Sequence, residues 1–290
     1  MERIKLIILV GVPGSGKTHY AQKYVKEHPN TIHLSSDKIR EELWGNEATQ
    51  GDPGMVFSIM QSRAVDALHN GQSVVYDATN VTRKDRSYIL ALCPKFVQIE
   101  AHVVWAPIET CIERDANRER TVGKAVIDKM LKRFQPPFYD EGIDEIEVVV
   151  PDNFDAYDYD KEVARAMKVP HDNPHHTLDV FDHCVAAFKY ANEHDFDVDL
   201  QIAALMHDIG KPYVKAFVDT KGNPCEVAHY YSHDAVSAWI TCGLPDADPY
   251  VTWLVGNHMG PFLNQKYYKN LSPFLKAAID LLHEADLAAH

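Results

Sequence analysis

The sequence predicts two domains of different class, an α/β domain with a parallel sheet and helices on both faces, followed by an all-α domain. The first observation is length, because 290 residues exceed one typical domain of roughly 100–200 residues. The second is that strand and helix signals alternate in the first half and strand signals become scarce after about residue 170. The third is that five of the 16 histidines precede residue 140 and 11 follow residue 170.

The distribution of charge places the boundary between these domains. Residues 1–139 hold 19 basic and 16 acidic residues, residues 134–160 hold nine acidic and no basic residues, and residues 161–290 hold 10 basic and 17 acidic residues. We therefore expect one domain at 1–150, an acidic, proline-containing linker at 151–171 and a second domain at 172–290. The net charge of −13 argues at first sight against a nucleic-acid partner, but residues 1–139 carry a net charge of +3 and the segment 114–133 holds seven basic and three acidic residues.

Cysteine usage and hydropathy predict a cytoplasmic protein with no membrane contact. The five cysteines are odd in number, widely spaced and form no CxxC, which favours free thiols in a reducing compartment. The apolar run Ile4–Val12 is too short to span a membrane and is followed by no small-residue cleavage site.

The first domain is built from elements that the sequence marks one by one. Lys5–Leu9 is a continuous apolar run, which is typical of a strand buried on both faces. The other expected strands are Thr31–Leu34, Gln72–Tyr76 and Glu100–Trp105. The expected helices are Lys17–Glu27, Met55–Asn70 and Val126–Arg133.

A phosphate-binding loop joins the first strand to the first helix. Gly11–Thr18 matches G-x-x-x-x-G-K-[ST] at every fixed position. Glycines let backbone N–H groups turn toward phosphate oxygens, and the helix N-terminus adds its positive dipole end. We expect Lys17 to reach the phosphates of ATP or another NTP and the Thr18 hydroxyl to bind Mg²⁺. The expected nucleotide-binding residues of the loop are Gly11, Gly14, Ser15, Gly16, Lys17 and Thr18.

Three later segments bear on what accepts the phosphoryl group. Asp37 follows the second strand, where a carboxylate can deprotonate an acceptor hydroxyl, although it or Ser36 could equally cap a helix. Asp77–Asn80 follows the third strand and fits either a site or turn chemistry. Arg114 and Arg118 are four residues apart and are expected to share a helix face, where arginines would neutralise developing phosphate charge; a solvated charged helix is the alternative.

Together these segments, over residues 4 to about 138, resemble the 5′-polynucleotide kinase family of P-loop phosphotransferases. The resemblance implies that Asp37 is the general base for a 5′-hydroxyl and that Arg40 holds an acceptor phosphate. It also implies that Arg118, with Arg114 or Arg120, binds the donor phosphates. The sequence departs from the family at Val126–Ile127, where the family often has Val-Pro. The expected acceptor-binding residues are Arg40, Asp77, Thr79, Asn80 and Arg83.

The second domain is expected to be helical and to hold a metal centre. The expected helices are Asp179–Asn192, Val198–Met206, His233–Thr241, Tyr250–Val255 and Pro273–Ala289. His207 and Asp208 are adjacent at the end of an apolar helix, where an imidazole and a carboxylate can share a divalent metal. Further histidines lie on or beside apolar helical stretches, and a purely structural histidine cluster is the alternative.

This pattern resembles the HD-domain phosphohydrolase superfamily over residues 172–290. The resemblance implies a first metal bound by His183, His207, Asp208 and Asp286. It implies a second metal that shares Asp208 and adds His233 and His258, with Lys211 stabilising phosphate charge. His176 and His229 would bind substrate phosphate or simply pack. The metals are one or two divalent transition metals or Mg²⁺, and the ligand types do not distinguish them.

The two resemblances together predict a bifunctional enzyme that heals broken nucleic-acid ends, acting on RNA in preference to DNA. The kinase half would phosphorylate 5′-hydroxyl ends, and the HD half would remove 2′,3′-cyclic or 2′/3′-phosphates, upstream of a separate ligase. One alternative is a small-molecule nucleoside or sugar kinase fused to an HD nucleotide phosphohydrolase. Another is an NTP-gated HD hydrolase of a signalling nucleotide.

Overall fold

The computed structural model describes residues 3–47, 49, 51–150, 159–173, 177–245 and 248–289. The chain divides into two compact units. The first comprises Met1–Met130 and Pro137–Phe154, and the second comprises Leu131–Pro136 and Asp155–His290. Each unit is described separately.

The first unit contains a five-stranded parallel sheet of order β2-β3-β1-β4-β5 with helices on both faces, as predicted. The strands are β1 (Lys5–Val10), β2 (Thr31–Ser35), β3 (Ser73–Asp77), β4 (Gln98–Val104) and β5 (Glu145–Val149). The helices are α1 (Lys17–Glu27), α2 (Ser36–Trp44), α3 (Pro53–His69), α4 (Arg83–Leu92), α5 (Ile108–Ala116) and α6 (Lys124–Leu131), and a 3₁₀ turn spans Tyr139–Glu141. The apolar run of β1 lies at the centre of the sheet, where its residues from Leu6 to Val10 are fully buried.

Four elements of the first unit were not predicted: α2, α4, α5 and β5. Helix α4 carried a usable signal, because Thr82 and Asp85 form a reciprocal capping box at its N-terminus. Strand β5 pairs in parallel with β4. Acidic residues, Glu145 and Glu147, alternate with apolar ones in this strand, so it lacks the continuous apolar run that marks β1.

Two local expectations about helices were wrong. Arg114 and Arg118 do not share a helix face, because α5 ends at Ala116. The chain turns there because the Asp115 carboxylate accepts hydrogen bonds from the backbone N–H groups of Val122 (3.0 Å) and Gly123 (2.8 Å). The N-cap of α2 is Ser35, whose side chain makes no capping bond, so neither Ser36 nor Asp37 caps this helix.

The second unit is mainly helical, as predicted, and also contains one two-stranded hairpin. Its helices are α7 (Tyr159–Ala166), α8 (Val180–Glu193), α9 (Val198–Met206), α10 (Lys211–Val214), α11 (His233–Thr241), α12 (Pro249–Asn257), α13 (Gly260–Leu263), α14 (Gln265–Asn270) and α15 (Pro273–Ala288). The antiparallel hairpin consists of β6 (Ala216–Val218) and β7 (Pro224–His229). Helix α7 falls within the predicted linker, and residues 151–158 of that linker lie outside the described residues.

Aromatic packing explains why residues 131–136 belong to the second unit. The buried ring of Phe134 meets the fully buried Trp239 of α11 edge to face, with centroids 5.2 Å apart. All five cysteines are free, as predicted. Within the described residues, no helix is both long enough and apolar enough to cross a bilayer.

Candidate active sites

The first candidate site is the loop between β1 and α1, at the carboxyl edge of the parallel sheet. Gly14 (φ 82°) and Gly16 (φ 105°) have left-handed backbone conformations that glycine adopts without strain. A Cβ atom on Gly14 would lie 2.2 Å from the carbonyl oxygen of Cys111 in α5, so only glycine fits there. The loop is therefore held close to a neighbouring helix.

The side chains of the loop are arranged for a nucleotide and its metal. Lys17 is buried and its Nζ donates to the carbonyl oxygen of Val12 at 2.9 Å, and burial lowers the pKa of Lys17. The Thr18 hydroxyl donates to Oδ2 of Asp77 at 3.0 Å. P-loop enzymes hold Mg²⁺ between this hydroxyl and a carboxylate at a strand end, so Thr18 and Asp77 suit that ion.

One buried atom of the loop supports the fit of an anionic ligand. The Ser15 hydroxyl is fully buried and has no hydrogen-bond partner among the described residues. A buried polar atom of this kind is costly unless something satisfies it, and phosphate oxygens would. The fit between loop and nucleoside triphosphate thus rests on this orphan hydroxyl as well as on the sequence motif.

The segment after β3 supports the loop from behind. The Asn80 side-chain nitrogen donates to the carbonyl oxygen of Leu9 at 2.8 Å, and the Thr79 carbonyl accepts from the Gly11 N–H at 3.0 Å. Arg86, which the sequence analysis missed, is fully buried and donates to the Asn80 carbonyl at 3.0 Å and to Glu141 at 2.6 Å. The Asn80 side chain and the Thr79 backbone thereby fix this segment to β1 and the loop.

Asp37 and Arg40, two residues expected to act on the acceptor, lie together, and Arg120 lies beside them. Oδ1 of Asp37 lies 2.8 Å from Nη1 of Arg40 and 3.2 Å from Nη1 of Arg120. Arg118 instead pairs with Asp115, its Nε donating at 2.9 Å. Arg83 at the start of α4 pairs with Asp140 at 2.8 Å. Arg114 lies in the last turn of α5.

The second candidate site is a cluster of imidazoles and carboxylates in the helical unit. His183 of α8 has its Nε2 3.0 Å from Oδ1 of Asp286 in α15 and 3.2 Å from Nε2 of His207. Nε2 of His207 lies 3.3 Å from Oδ2 of Asp208. One ligand atom from each of these four residues falls within 4.8 Å of the others, which could hold a metal ion. The structure therefore brings together all four expected first-metal residues.

A second group of the same kind shares Asp208. Oδ1 of Asp208 lies 3.1 Å from Nε2 of His233 in α11 and 4.0 Å from Nε2 of His258, which follows α12. The two imidazole Nε2 atoms are 3.1 Å apart. These three residues are buried and form a second potential metal-binding group.

The hydrogen bonds made by the Nδ1 atoms orient the four imidazoles so that each Nε2 atom can bind a metal. Nδ1 of each histidine faces a backbone carbonyl, which can only accept, so Nδ1 carries the proton and Nε2 presents its lone pair inward. The Nδ1 partners are the carbonyl oxygens of Ala289 for His183, Ala204 for His207, Tyr230 for His233 and Val255 for His258. Lone pairs facing each other at 3.1–3.2 Å repel, and a shared cation removes that repulsion. Burial lowers the pKa of His258 to about 3, which keeps this ring neutral.

Lys211 lies between Asp208 and His171, a residue that the sequence did not predict for this site. Its Nζ lies 2.5 Å from Oδ2 of Asp208 and 3.1 Å from Nε2 of His171. His171 is buried, its Nδ1 donates to the Leu178 carbonyl at 2.6 Å, and the Tyr230 hydroxyl donates to its backbone carbonyl. No local pattern around His171 marks it, because it lies in the irregular chain ahead of α8.

The sequence left the roles of two histidines, His176 and His229, undecided. His229 stacks on Tyr231, with ring centroids 5.3 Å apart and an angle of 6° between the ring planes. His176 lies outside the described residues.

Comparison with known families agrees with both sites. Residues 6–137 match the family model described as an AAA domain, and residues 180–285 match the HD domain. The N-terminal half of the chain is therefore similar to AAA-type P-loop domains and the C-terminal half to HD domains.

Individual relatives are distant. Over 148 residues the chain is 28% identical to "Transcription factor bHLH140" of Arabidopsis thaliana. The aligned region covers 49% of this chain and 15% of that protein. Among solved structures, it is similar to a chain of the "Pnkp1/Rnl/Hen1 RNA repair complex" (22% identity, TM-score 0.43, 47% of this chain and 45% of the other). It is also similar to a "Fungal RNA Kinase" (17% identity, TM-score 0.39, 53% of this chain and 78% of the other). The chain thus spans 15% of the curated relative and less than half of the repair-complex chain.

Proposed function

We propose that this chain is a bifunctional end-healing enzyme for nucleic acids, and for RNA in preference to DNA. The observation that carries the proposal is the pairing, in one chain, of a P-loop site flanked by Asp37 with a two-metal HD site. Many ribonuclease breaks leave a 5′-hydroxyl and a 2′,3′-cyclic phosphate, whereas ligation needs a 5′-phosphate and a free 3′-hydroxyl. The P-loop domain makes the 5′-phosphate and the HD domain makes the free 3′-hydroxyl, upstream of a separate ligase.

In the kinase reaction the Asp37 carboxylate accepts the proton of the 5′-hydroxyl as that oxygen attacks the γ-phosphorus of ATP. Asp37 is 48% exposed, so an acceptor can reach it. Thr18 and Asp77 hold Mg²⁺, and Lys17 binds the donor phosphates. Arg118, with Arg114, neutralises charge on the transferred group.

In the phosphatase reaction the HD cluster would hold one or two divalent metals, which would supply Lewis acidity for the attack of water on phosphorus. Asp208 belongs to both groups of possible metal ligands. Its Oδ2 lies 3.3 Å from Nε2 of His207, and its Oδ1 lies 3.1 Å from Nε2 of His233. The Lys211 ammonium binds a phosphate oxygen and stabilises its growing charge. Burial alone would raise the pKa of Asp208, but the Lys211 ammonium beside it holds this pKa well below its usual range, so the carboxylate is ionised.

A cytoplasmic location is part of the proposal. The five free cysteines are compatible with a reducing compartment.

Two end-labelling assays test the proposal. The protein should transfer label from γ-labelled ATP to a 5′-hydroxyl oligonucleotide, and it should convert a 2′,3′-cyclic phosphate end to a free hydroxyl once loaded with Mn²⁺ or Ni²⁺. Transfer to neither RNA nor DNA would contradict the kinase half, and an unchanged cyclic end under every metal would contradict the other.

Acceptor competition separates the alternatives. An oligonucleotide that competes far better than a nucleoside for the labelled phosphate supports the end-healing enzyme. Preference for a nucleoside or sugar would support a metabolic kinase, and ATP hydrolysis without any acceptor would support an NTP-gated hydrolase.

A further inference from the structure

An exposed aromatic side chain lies beside the cluster of the HD domain and is not one of its possible metal ligands. Phe262 belongs to α13, which begins two residues after His258. It is 54% exposed. Its ring meets the imidazole of His283 in α15, with centroids 5.0 Å apart and an angle of 70° between the ring planes.

The two segments that meet at this contact each carry a residue of the cluster. Phe262 follows His258 of the second metal group by four residues, and His283 precedes Asp286 of the first group by three. Nδ1 of His283 is 3.9 Å from Oδ2 of Asp286. Phe262 and His283, which we call the rim pair, are therefore connected to both metal groups.

The exposure of the ligands shows on which side the cluster is open. The side chain of Asp286 is 22% exposed, and that of His233 is 10% exposed. The other four possible ligands have side chains that are only 1–3% exposed: His183, His207, Asp208 and His258. Within the described residues, the cluster is thus most open at Asp286, which is the residue that the rim pair adjoins.

The position of the Phe262 ring, and not its exposure alone, points to a ligand, because single exposed apolar side chains are common on protein surfaces. In a nucleotide the ribose separates the base from the phosphate, so a base lies near the groups that bind the phosphate but not on them. The Phe262 ring has this relation to the cluster, since one imidazole separates it from the Asp286 carboxylate. The 70° contact is edge to face, so His283 does not stack on the Phe262 ring.

We propose that Phe262 is a stacking platform for the terminal nucleobase of the strand whose 2′- or 3′-phosphate the HD domain removes. His283 supports the ring and keeps it beside Asp286. The inference rests on the proposed phosphatase function and narrows its substrate class. The HD domain favours a phosphate on a nucleoside over a phosphate on a sugar without a base, and it accepts all four bases, because stacking uses the π face that they share.

The test compares Phe262→Ala with the full-length parent protein, both loaded with Mn²⁺, on two oligonucleotides labelled at the 5′ end and phosphorylated at the 3′ end. Their terminal residues differ only in that one carries adenine and the other is abasic. For the adenine end, Phe262→Ala should raise KM about 5- to 100-fold, as for one stacked base, and leave kcat within about twofold. For the abasic end, the two proteins should have the same KM. Phe262→Trp should keep the KM of the parent protein for the adenine end, since an indole also stacks on a base.

Phe274→Ala is the matched control, and it should leave the KM for the adenine end unchanged. Phe274 is also an exposed phenylalanine, and it lies on α15 with Asp286 but 12 residues earlier, which is about 18 Å along the helix. In Phe262→Ala, an unchanged KM for the adenine end, an equal rise for both ends or a loss of bound metal overturns the platform while the phosphatase function stands.

A binding measurement separates the platform from the proposed function. If the parent protein removes phosphate from neither end, the phosphatase function fails, and fluorescence anisotropy of the two labelled oligonucleotides decides the platform. Binding of the adenine end that weakens in Phe262→Ala to the level of the abasic end supports the platform. Binding that is absent, or equal in the two proteins, overturns it.

Discussion

At the scale of residues, two carboxylates distinguish the two chemistries. Asp37→Asn removes the proton acceptor and should lower 5′-kinase turnover by at least about 100-fold, because general-base catalysis contributes on that order. Its phosphatase turnover should not change. The measurement is the pair of end-labelling assays on one preparation.

Asp208→Ala is the reciprocal variant. It removes the carboxylate that both metal groups share, so phosphatase activity and bound metal should both be lost while the kinase activity persists. Loss of both activities in either variant would contradict the assignment of one chemistry to each domain.

His171 is predicted to position Lys211 rather than to bind metal. His171→Ala should lower phosphatase kcat about tenfold, because the ammonium loses an acceptor that holds it beside Asp208. His171→Gln should recover part of the rate, since its side-chain oxygen can accept from Lys211. Metal content, measured by elemental analysis, should match the parent protein in both variants; a loss of metal would instead make His171 part of the metal site.

At the scale of elements, the close contact between the P-loop and α5 limits which substitutions the loop tolerates at Gly14. Gly14→Ala adds a methyl group 2.2 Å from a backbone oxygen of α5, at a φ of 82°. We expect the loop to shift, weakening ATP binding at least tenfold and lowering the free energy of unfolding by about 3 kcal/mol. Calorimetry and urea denaturation measure the two effects.

Gly71→Ala provides the control, because Gly71 has nearly the same φ of 79° but no atom within 4 Å of the new methyl group. It should cost only the backbone strain of about 1 kcal/mol and leave ATP binding intact. Equal effects of the two substitutions would show that backbone strain, and not the contact with α5, limits the loop.

Element by element, the sequence predicted those parts whose signal is local. The strand from Lys5 and the helix from Lys17 were found because an apolar run and a glycine-rich turn adjoin each other. Helix α5 and strand β5 were not, because charged residues interrupt both patterns. The end of α5 at Ala116 depends on a carboxylate that binds backbone N–H groups seven and eight residues further along the chain.

At the scale of the whole molecule, the net charge of −13 predicts how binding responds to salt. If binding is local to one strand end, as the proposed function implies, a single strand should release about one or two counterions. The slope of log K against log salt should then be about −1, at roughly −0.7 per phosphate contact. Fluorescence anisotropy of a labelled 5′-hydroxyl oligonucleotide measures it, and a slope near −4 would indicate an extended strand-binding surface instead.

The sequence by itself identified the two candidate sites, because the P-loop and the His–Asp pair depend on residue types at short, fixed spacings. It also determined the fold class of each half. Only the tertiary structure decided several contacts between side chains: Thr18 with Asp77, 59 positions apart, His171 with Lys211, 40 apart, and Arg120 rather than Arg118 with Asp37. Such pairings depend on how strands and helices pack, and no local pattern in the chain encodes the distance between two remote atoms.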